Sequence, residues 1–346
     1  MRVLTMQLNS ITIMDLVAYG GAALGVIMAV TQLQKGAVEL SGCLLIILLA
    51  ADFFLPMRLL GSFFHIAMNG MAASEKIFRL LDLKAPETGR EPVPEDKTIR
   101  LKDLSFSYEE DRTVLQNVTM TIPAGSFTAL VGESGCGKST VAGLLMGRNR
   151  GWTGELTMGG RPVTGISEKS LMENITYISH QSYLFKGTVR ENLRMGDPEA
   201  TDSRLQEVLR RVKLWDFLST QEGLDTGLTE RGSNLSGGQC QRLALARAIL
   251  HDSPVYIFDE ATSNIDVESE NEIMDQIRDL AREKTVILIS HRLANVVDAD
   301  RIYVMDRGRV VQSGTHSELL HRDGQYRTLF CAQQELEHYS QEAQAV

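Results

Sequence analysis

The chain has 346 residues, 43% hydrophobic and 23% charged, with 44 acidic against 35 basic side chains for a formal charge of −9. That length allows two or three folded units with buried cores, and the acidic balance argues against a nucleic-acid partner held by a broad basic surface. Four cysteines far apart, Cys43, Cys136, Cys240 and Cys331, form no CxxC pair and so indicate neither a zinc site nor a disulfide framework.

Apolar residues are concentrated at the front. Residues 11–30 carry a single charge, Asp15, and residues 40–60 carry Asp52 and Arg58, which predicts two transmembrane α-helices. The uncharged part of the second stretch, 40–51, reaches only the length of a buried soluble helix unless 53–57 is added. A signal peptide is not indicated, because Arg2 is the whole basic leader and no small-residue cleavage site follows. Arg58, Lys76 and Arg79 follow the second stretch, while the connection around Lys35 is short, placing both ends in the cytoplasm by the positive-inside tendency. Phe63, Ile66, Ala67, Met71, Ile77, Leu80 and Leu81 recur at helical spacing, so the second helix runs on beyond the bilayer. The stretch 84–97, with Pro86, Gly89, Pro92 and Pro94 among charges, reads as a linker.

A second unit begins near Thr98. Residues 99–108 and 118–122 alternate like strands of an antiparallel sheet, and 127–131 is an apolar strand. It feeds Gly132-Glu133-Ser134-Gly135-Cys136-Gly137-Lys138-Ser139-Thr140, a GxxxxGK[ST] phosphate loop opening a helix over 139–146. Its glycines let backbone N–H groups approach a β-phosphate, Lys138 neutralises β- and γ-oxygens, and the Ser139 hydroxyl is a Mg²⁺ ligand. Cys136 reads as a small residue tolerated in the loop, although its place at a helix N-terminus would lower its pKa. Residues 188–218 are helical, with Leu205, Val208, Leu209, Val212 and Leu214 on one face, as are 243–250. Short apolar runs at 255–258 and 285–290 fit buried parallel strands, and 302–312 fits a hairpin turning at Arg307-Gly308. The polar tail, 332–346, reads as a frayed helix or disorder.

Asp259 and Glu260 follow the strand 255–258, where one acid can hold Mg²⁺ through water and the other can orient and deprotonate an attacking water. His291 follows the strand 285–290, at the carboxyl edge where ligands of open α/β sheets bind. Between loop and acids lies Leu235-Ser236-Gly237-Gly238-Gln239, a second glycine-rich turn opening a helix, capped by Ser236 and able to offer N–H groups to another phosphate. One chain thus has one triphosphate loop and two phosphate-facing turns.

Over residues 98–331 the chain resembles the ATP-binding cassette (ABC) family, whose signature is LSGGQ and whose subunits sandwich two ATP molecules head to tail. The resemblance implies an α/β P-loop NTPase with a RecA-like core, an antiparallel β subdomain and a helical subdomain. It makes Leu235, Ser236, Gly237, Gly238 and Gln239 a signature acting on the partner's ATP and His291 a switch histidine at the γ-phosphate. Gln181, in Ile178-Ser179-His180-Gln181, becomes a Q-loop residue near Mg²⁺ and the attacking water. Tyr108 becomes the ring that stacks on adenine, and Asp266, in Ser263-Asn264-Ile265-Asp266, an aspartate bridging two subunits. The implied cofactors are ATP and Mg²⁺.

The segments 182–193 and 229–232 are similar to those of ABC exporters, as is the fusion of membrane helices ahead of the ATPase. The resemblance implies a half-transporter paired with an identical or different subunit in a bacterial cytoplasmic membrane, with lipid and a small-molecule cargo as partners. Its parts are a partial membrane domain over 1–82, a linker over 83–97, the ATPase over 98–331 and a tail over 332–346. Exporters of this kind have six membrane helices before each ATPase, so a chain with two is expected to be truncated at its N-terminus. Ala51-Asp52-Phe53-Phe54-Leu55-Pro56-Met57-Arg58 with Gly61 and His65 is similar to the cysteine and glutathione exporter subgroup; the alternatives are a lipid or multidrug exporter, or a soluble cassette ATPase.

Overall fold

The computed structural model describes residues 2–83, 89–109, 112–263 and 265–344; the side chains of 2–11, of 51, 54, 55, 57, 58, 60–62 and 65, and of 337–344 lie outside the description. The chain divides into two compact units, Met1–Pro86 and Glu87–Val346.

The first unit is a helical hairpin of α1 (Arg2–Gln34) and α2 (Leu40–Leu81), with Gly36 at φ 75° in the turn. Small residues lie inside it: Ala18, Ala29 and Cys43 are buried, while Leu16, Leu24, Ile27, Leu48 and Phe53 are exposed. This inverts the pattern of a soluble hairpin and matches helices that pack through small residues and turn their large apolar side chains to lipid. Thr12–Gln34, 23 residues of mean hydropathy 1.9, is long and apolar enough to cross a membrane. It is one of the two spans expected from sequence; in α2 the described apolar run is Leu40–Ala50, and the rest of the second expected span falls largely on side chains outside the description.

The second unit opens with β1 (Ile99–Glu109), β2 (Arg112–Ile122), β3 (Phe127–Gly132) and α3 (Lys138–Leu145), then β4 (Thr153–Met158), β5 (Arg161–Pro162), α4 (Glu168–Asn174) and β6 (Ile175–Ser179). The helical insert follows as β7 (Gly187–Thr188), α5 (Val189–Arg194), α6 (Asp202–Arg211), α7 (Trp215–Ser219), β8 (Gly227–Leu228) and α8 (Gly237–His251). The chain closes with β9 (Val255–Asp259), α9 (Val267–Ala281), β10 (Thr285–Ile289), β11 (Arg301–Asp306), β12 (Arg309–Gly314), α10 (His316–His321) and α11 (Gln325–Gln344).

The six-stranded central sheet has the order β12-β11-β3-β10-β9-β6, parallel except for β12, and a four-stranded antiparallel sheet has the order β2-β1-β4-β5. Strand alternation sends side chains of the central sheet into two cores. Leu130, Ile257, Ile287, Ile289 and Met305 face the antiparallel sheet and α3, packing with Leu101, Leu104, Met120 and Leu144. Ala129, Val131, Tyr256, Phe258, Leu288 and Val304 face the helical side, with Leu205, Leu209, Leu245 and Ile273. The hairpin turns at Arg307-Gly308 as expected, whereas β2 starts earlier than its apolar part, at Arg112.

Part of the expected linker is built into the second unit: the Val93 amide donates to Ser170 Oγ at 2.8 Å and Arg161 Nη1 donates to Pro92 O at 2.7 Å, while residues 84–88 lie outside the description. Residues 332–344, expected as a frayed helix or disorder, are the last part of α11, which runs from Gln325 to Gln344.

Candidate active site

Parallel register brings four strand ends to one edge. Ser179 and Ile289 both lie opposite Asp259, Ile289 opposite Leu130, and Met305 opposite Gly132. The segments leaving these strands carry Gln181, Glu260, His291 and the phosphate loop, which is the crevice where open α/β sheets bind ligands.

Gly132 and Gly137 adopt φ 144° and 106°, and a Cβ would lie 2.1 Å from Met305 O at the first and 2.6 Å from Leu115 Cδ2 at the second. Only glycine lets this loop close against β11 and β2. The turn between β11 and β12 also holds it, with the Gly308 amide donating to Cys136 O at 3.1 Å. Lys138 is buried and its ammonium donates to Gly132 O and Glu133 O, each at 2.9 Å, so a positive charge sits inside the ring of loop residues 132–138. Burial pushes the Cys136 thiol up, and the nearby Lys138 offsets this only in part. The lowering expected from the helix N-terminus is therefore corrected: desolvation of the thiolate outweighs it.

Asp259 is buried at the end of β9, where Ser139 Oγ donates to its Oδ1 at 3.1 Å and the Tyr177 hydroxyl to its Oδ2 at 2.8 Å. Burial, then the bond to Asp259, pushes the Tyr177 phenol far above its usual value, and the Arg148 guanidinium lies 4.9 Å from its ring centroid. Ser139 and Asp259 offer adjacent hard oxygens suited to Mg²⁺, which is commonly held by one or two protein oxygens plus substrate phosphates. Among the described residues no cluster of three His, Cys, Asp or Glu side chains could hold a metal by itself.

Glu260 turns the chain at φ 53° while its amide donates to Ile289 O at 3.0 Å. This left-handed conformation is costly for a non-glycine residue and marks a place over-determined by its surroundings. Its Oε1 meets His291 Nε2 at 2.5 Å, with both side chains part-exposed. An acid and an imidazole in contact beside a phosphate loop can orient water and pass a proton.

The remaining expected residues lie around this edge. Tyr108 stands edge-on to Phe106, ring centroids 4.9 Å apart, with its hydroxyl 3.3 Å from Thr140 Oγ1. It lines a pocket of about 490 Å³ with Thr113, Gly135, Thr140 and Arg307. Gln181 lies in a separate cleft of about 570 Å³ with Gly237, Cys240, Gln241, Ser263 and Ile265. Ser236 and Gln239 form a capping box, Ser236 Oγ accepting from the Gln239 amide at 3.2 Å and Gln239 Oε1 from the Ser236 amide at 2.9 Å. A Cβ at Gly238 would lie 2.4 Å from Ser269 Oγ, so close helix packing requires this glycine whatever it binds. Among the described residues no hydrogen bond joins Leu235, Ser236, Gly237, Gly238 or Gln239 to the phosphate loop. Asp266 caps α9, accepting from the Ser269 amide at 2.8 Å, and hydrogen bonds from Ser269 hold its carboxyl below the usual range.

Sequence reasoning missed Tyr177, Gln241, Glu270 and Gln333. Gln241, on α8, is buried and its amide spans Ser182 Oγ and the His180 carbonyl, tying the Gln181 turn to the signature helix. Glu270, on α9, is buried and accepts from Thr262 Oγ1 at 3.2 Å and Asn295 Nδ2 at 2.8 Å, and pairs with Arg292.

A family model described as "ABC transporter" matches residues 115–263. An uncharacterized ABC transporter ATP-binding protein of Haemophilus influenzae is 48% identical over 349 residues, covering 100% of this chain and 62% of the relative. An ATP-dependent lipid A-core flippase of Saccharophagus degradans is 38% identical, with 82% and 49% covered. The glutathione/L-cysteine transport system ATP-binding/permease protein of Escherichia coli is 36% identical, with 77% and 47% covered. A solved bacterial Atm1-family ABC exporter with ATP bound has a similar structure, with TM-score 0.71 and 29% identity over 96% of this chain and 58% of that one. The chain thus spans about half to three-fifths of the length of these proteins. It carries an ABC transporter ATPase domain preceded by a helical segment.

Proposed function

We propose that this chain is the ATP-hydrolysing part of an ABC exporter and works in pairs, each signature turn closing on the partner's nucleotide. One observation supports it above the others. A single sheet edge gathers the phosphate loop, the Ser139–Asp259 pair and the Glu260–His291 pair, while the signature turn opens a long helix with its own cap. The loop amides and Lys138 bind the β- and γ-phosphates, with Tyr108 against the base. Ser139, Gln181 and, through a water, Asp259 would hold Mg²⁺, which would supply positive charge against that developing on the phosphates. Glu260 accepts a proton from the attacking water, and His291 holds that carboxylate and faces the γ-phosphate. Ser236 and the Gly237 and Gly238 amides add donors to the partner's ATP, Asp266 lies at the junction of the subunits, and hydrolysis removes the glue.

The partner is a second half-transporter, identical or different, in a bacterial cytoplasmic membrane. The cargo in this reading is cysteine or glutathione, supported by the printed name of the Escherichia coli relative; the name of the Saccharophagus degradans relative favours a lipid instead. The motif that carries the thiol reading, Ala51 to Arg58 with Gly61 and His65, falls largely on side chains outside the description. Glu260→Gln tests the chemistry: Mg·ATP hydrolysis should fall by about 10²- to 10⁴-fold with nucleotide binding kept, and near-parental turnover would sink the assignment.

A further inference from the structure

The strand β10 ends at Ile289, so the segment that carries His291 has no ladder of its own. Side chains supply its bonds instead. Ser290 Oγ accepts from the Arg292 amide at 3.0 Å and donates to Arg292 O at 3.1 Å. From α9, the buried Glu270 takes hold of Asn295 and Arg292.

From the other direction comes α11. Tyr326 is fully buried and Leu329 and Phe330 pack on the core, which sets one face of the helix against the sheet. Gln333 lies on that same face one turn further on. Its Nε2 donates to His291 O at 2.6 Å and its Oε1 accepts from the Leu293 amide at 2.9 Å. The two bonds straddle Arg292 and fix the backbone on both sides of it. A primary amide supplies both a donor and an acceptor; a carboxylate only accepts, and a thioether does neither well.

We propose that Gln333, in the C-terminal helix, is a positioning residue for His291, holding the backbone that aims its imidazole at Glu260. This inference rests on the hydrolysis reading above. Outer hydrogen bonds that orient metal-binding side chains carry about 10- to 100-fold in affinity or activity, and the same order is expected for a bond that orients His291. Gln333 is one such bond donor and acceptor, acting through the peptide backbone.

The test uses the 346-residue chain in lipid nanodiscs, with steady-state Mg·ATP hydrolysis and thermal unfolding of each variant. Gln333→Met keeps the length and removes both bonds; Gln333→Glu keeps the acceptor for Leu293 and removes the donor to His291. Both should lower kcat by about 10- to 100-fold, while KM for ATP stays within about 2-fold because the phosphate loop is untouched. In a His291→Ala background the same changes should lower kcat by less than about 2-fold, since two residues that act as one unit are not additive.

Either variant alone carries the test if the other fails to fold. Parental kcat in a folded Gln333→Glu or Gln333→Met would overturn the inference. So would an equal further loss in the His291→Ala background, which would mark a purely structural role. A parent chain unable to hydrolyse Mg·ATP would remove the hydrolysis reading and this inference with it, whereas an active parent with indifferent variants removes the inference alone.

Discussion

Tyr177→Phe isolates a single hydrogen bond at the centre of the site. The substitution keeps the ring, and the Arg148 guanidinium 4.9 Å from its centroid retains a cation–π partner in phenylalanine. Lost is the phenol that donates to Asp259 Oδ2 at 2.8 Å, where Asp259 is only 5% exposed. Hydrogen bonds to charged groups are worth about 1.5–3 kcal/mol, and the part-exposed position of Tyr177 admits water, so the lower end, about 1.5 kcal/mol, is expected. In a unit of this size that corresponds to a fall in Tm of about 3–6 °C.

The bond also fixes the carboxylate that faces Ser139, so loosening it should raise the Mg²⁺ concentration for half-maximal ATP hydrolysis by about 10-fold or more. Because burial pushes the phenol far above its usual value, it stays a neutral donor across the neutral range and both effects should be the same at pH 6.5 and 8.5. A Mg²⁺ titration at saturating ATP, with thermal unfolding alongside, measures them. Unchanged Mg²⁺ dependence together with an unchanged Tm would refute the role given to this bond.

Ser236→Asp should keep the cap of α8, since aspartate caps helices as well as serine, yet repel a triphosphate; light scattering on the Glu260→Gln chain should show ATP-dependent doubling of mass that this second change abolishes with Tm retained, and a doubling that survives would count against the sandwich. Cys136, with its thiol pushed up by burial, presents less thiolate at a given pH than an ordinary cysteine. Alkylation followed by mass spectrometry should therefore label the exposed Cys331 first, Cys136 gaining as pH rises and losing when ATP is added; faster labelling of Cys136 at pH 7 would contradict the shift.

How much of the site can be read from sequence depends on where each residue's partners lie. The phosphate loop, the acids after β9 and the capping box of Ser236 and Gln239 are local: their geometry is set within a few residues, so spacing alone displays it. Helix α9 was equally open to reading, with Ile273, Met274, Ile277 and Leu280 on one buried face, but lay between stronger signals. Gln241, Glu270 and Gln333 are different. In sequence each is a polar residue on a helix, the usual mark of a solvated face, and each finds its partners far away: Gln333 bonds the backbone of His291 and Leu293, 42 and 40 residues earlier. Only the folded chain shows that these polar groups belong to the interior. The helix of α11 is legible after Cys331 only as one of two readings, because its inner face is set by Tyr326, Leu329 and Phe330 further back.

These hidden contacts converge on the first turn of α9. Gly238 of the signature packs so closely that a Cβ would meet Ser269 Oγ at 2.4 Å, and Arg242, one turn further along α8, donates to that same Oγ at 3.2 Å and to Glu272 Oε2 at 2.6 Å. The Ser269 amide is capped by Asp266, and Glu270 beside it grips Thr262, Asn295 and Arg292. The helix that opens at the signature and the segment that carries His291 are therefore fastened to consecutive residues of one rigid element. With no space for a methyl group at Gly238 and no unpaired carboxylate oxygen at Glu270, neither contact has slack to absorb a displacement; overpacking at such a contact costs about 1–3 kcal/mol. The first turn of α9 is thus a shared packing partner of Gly238 on α8 and, through Glu270 and Arg292, of the residues next to His291.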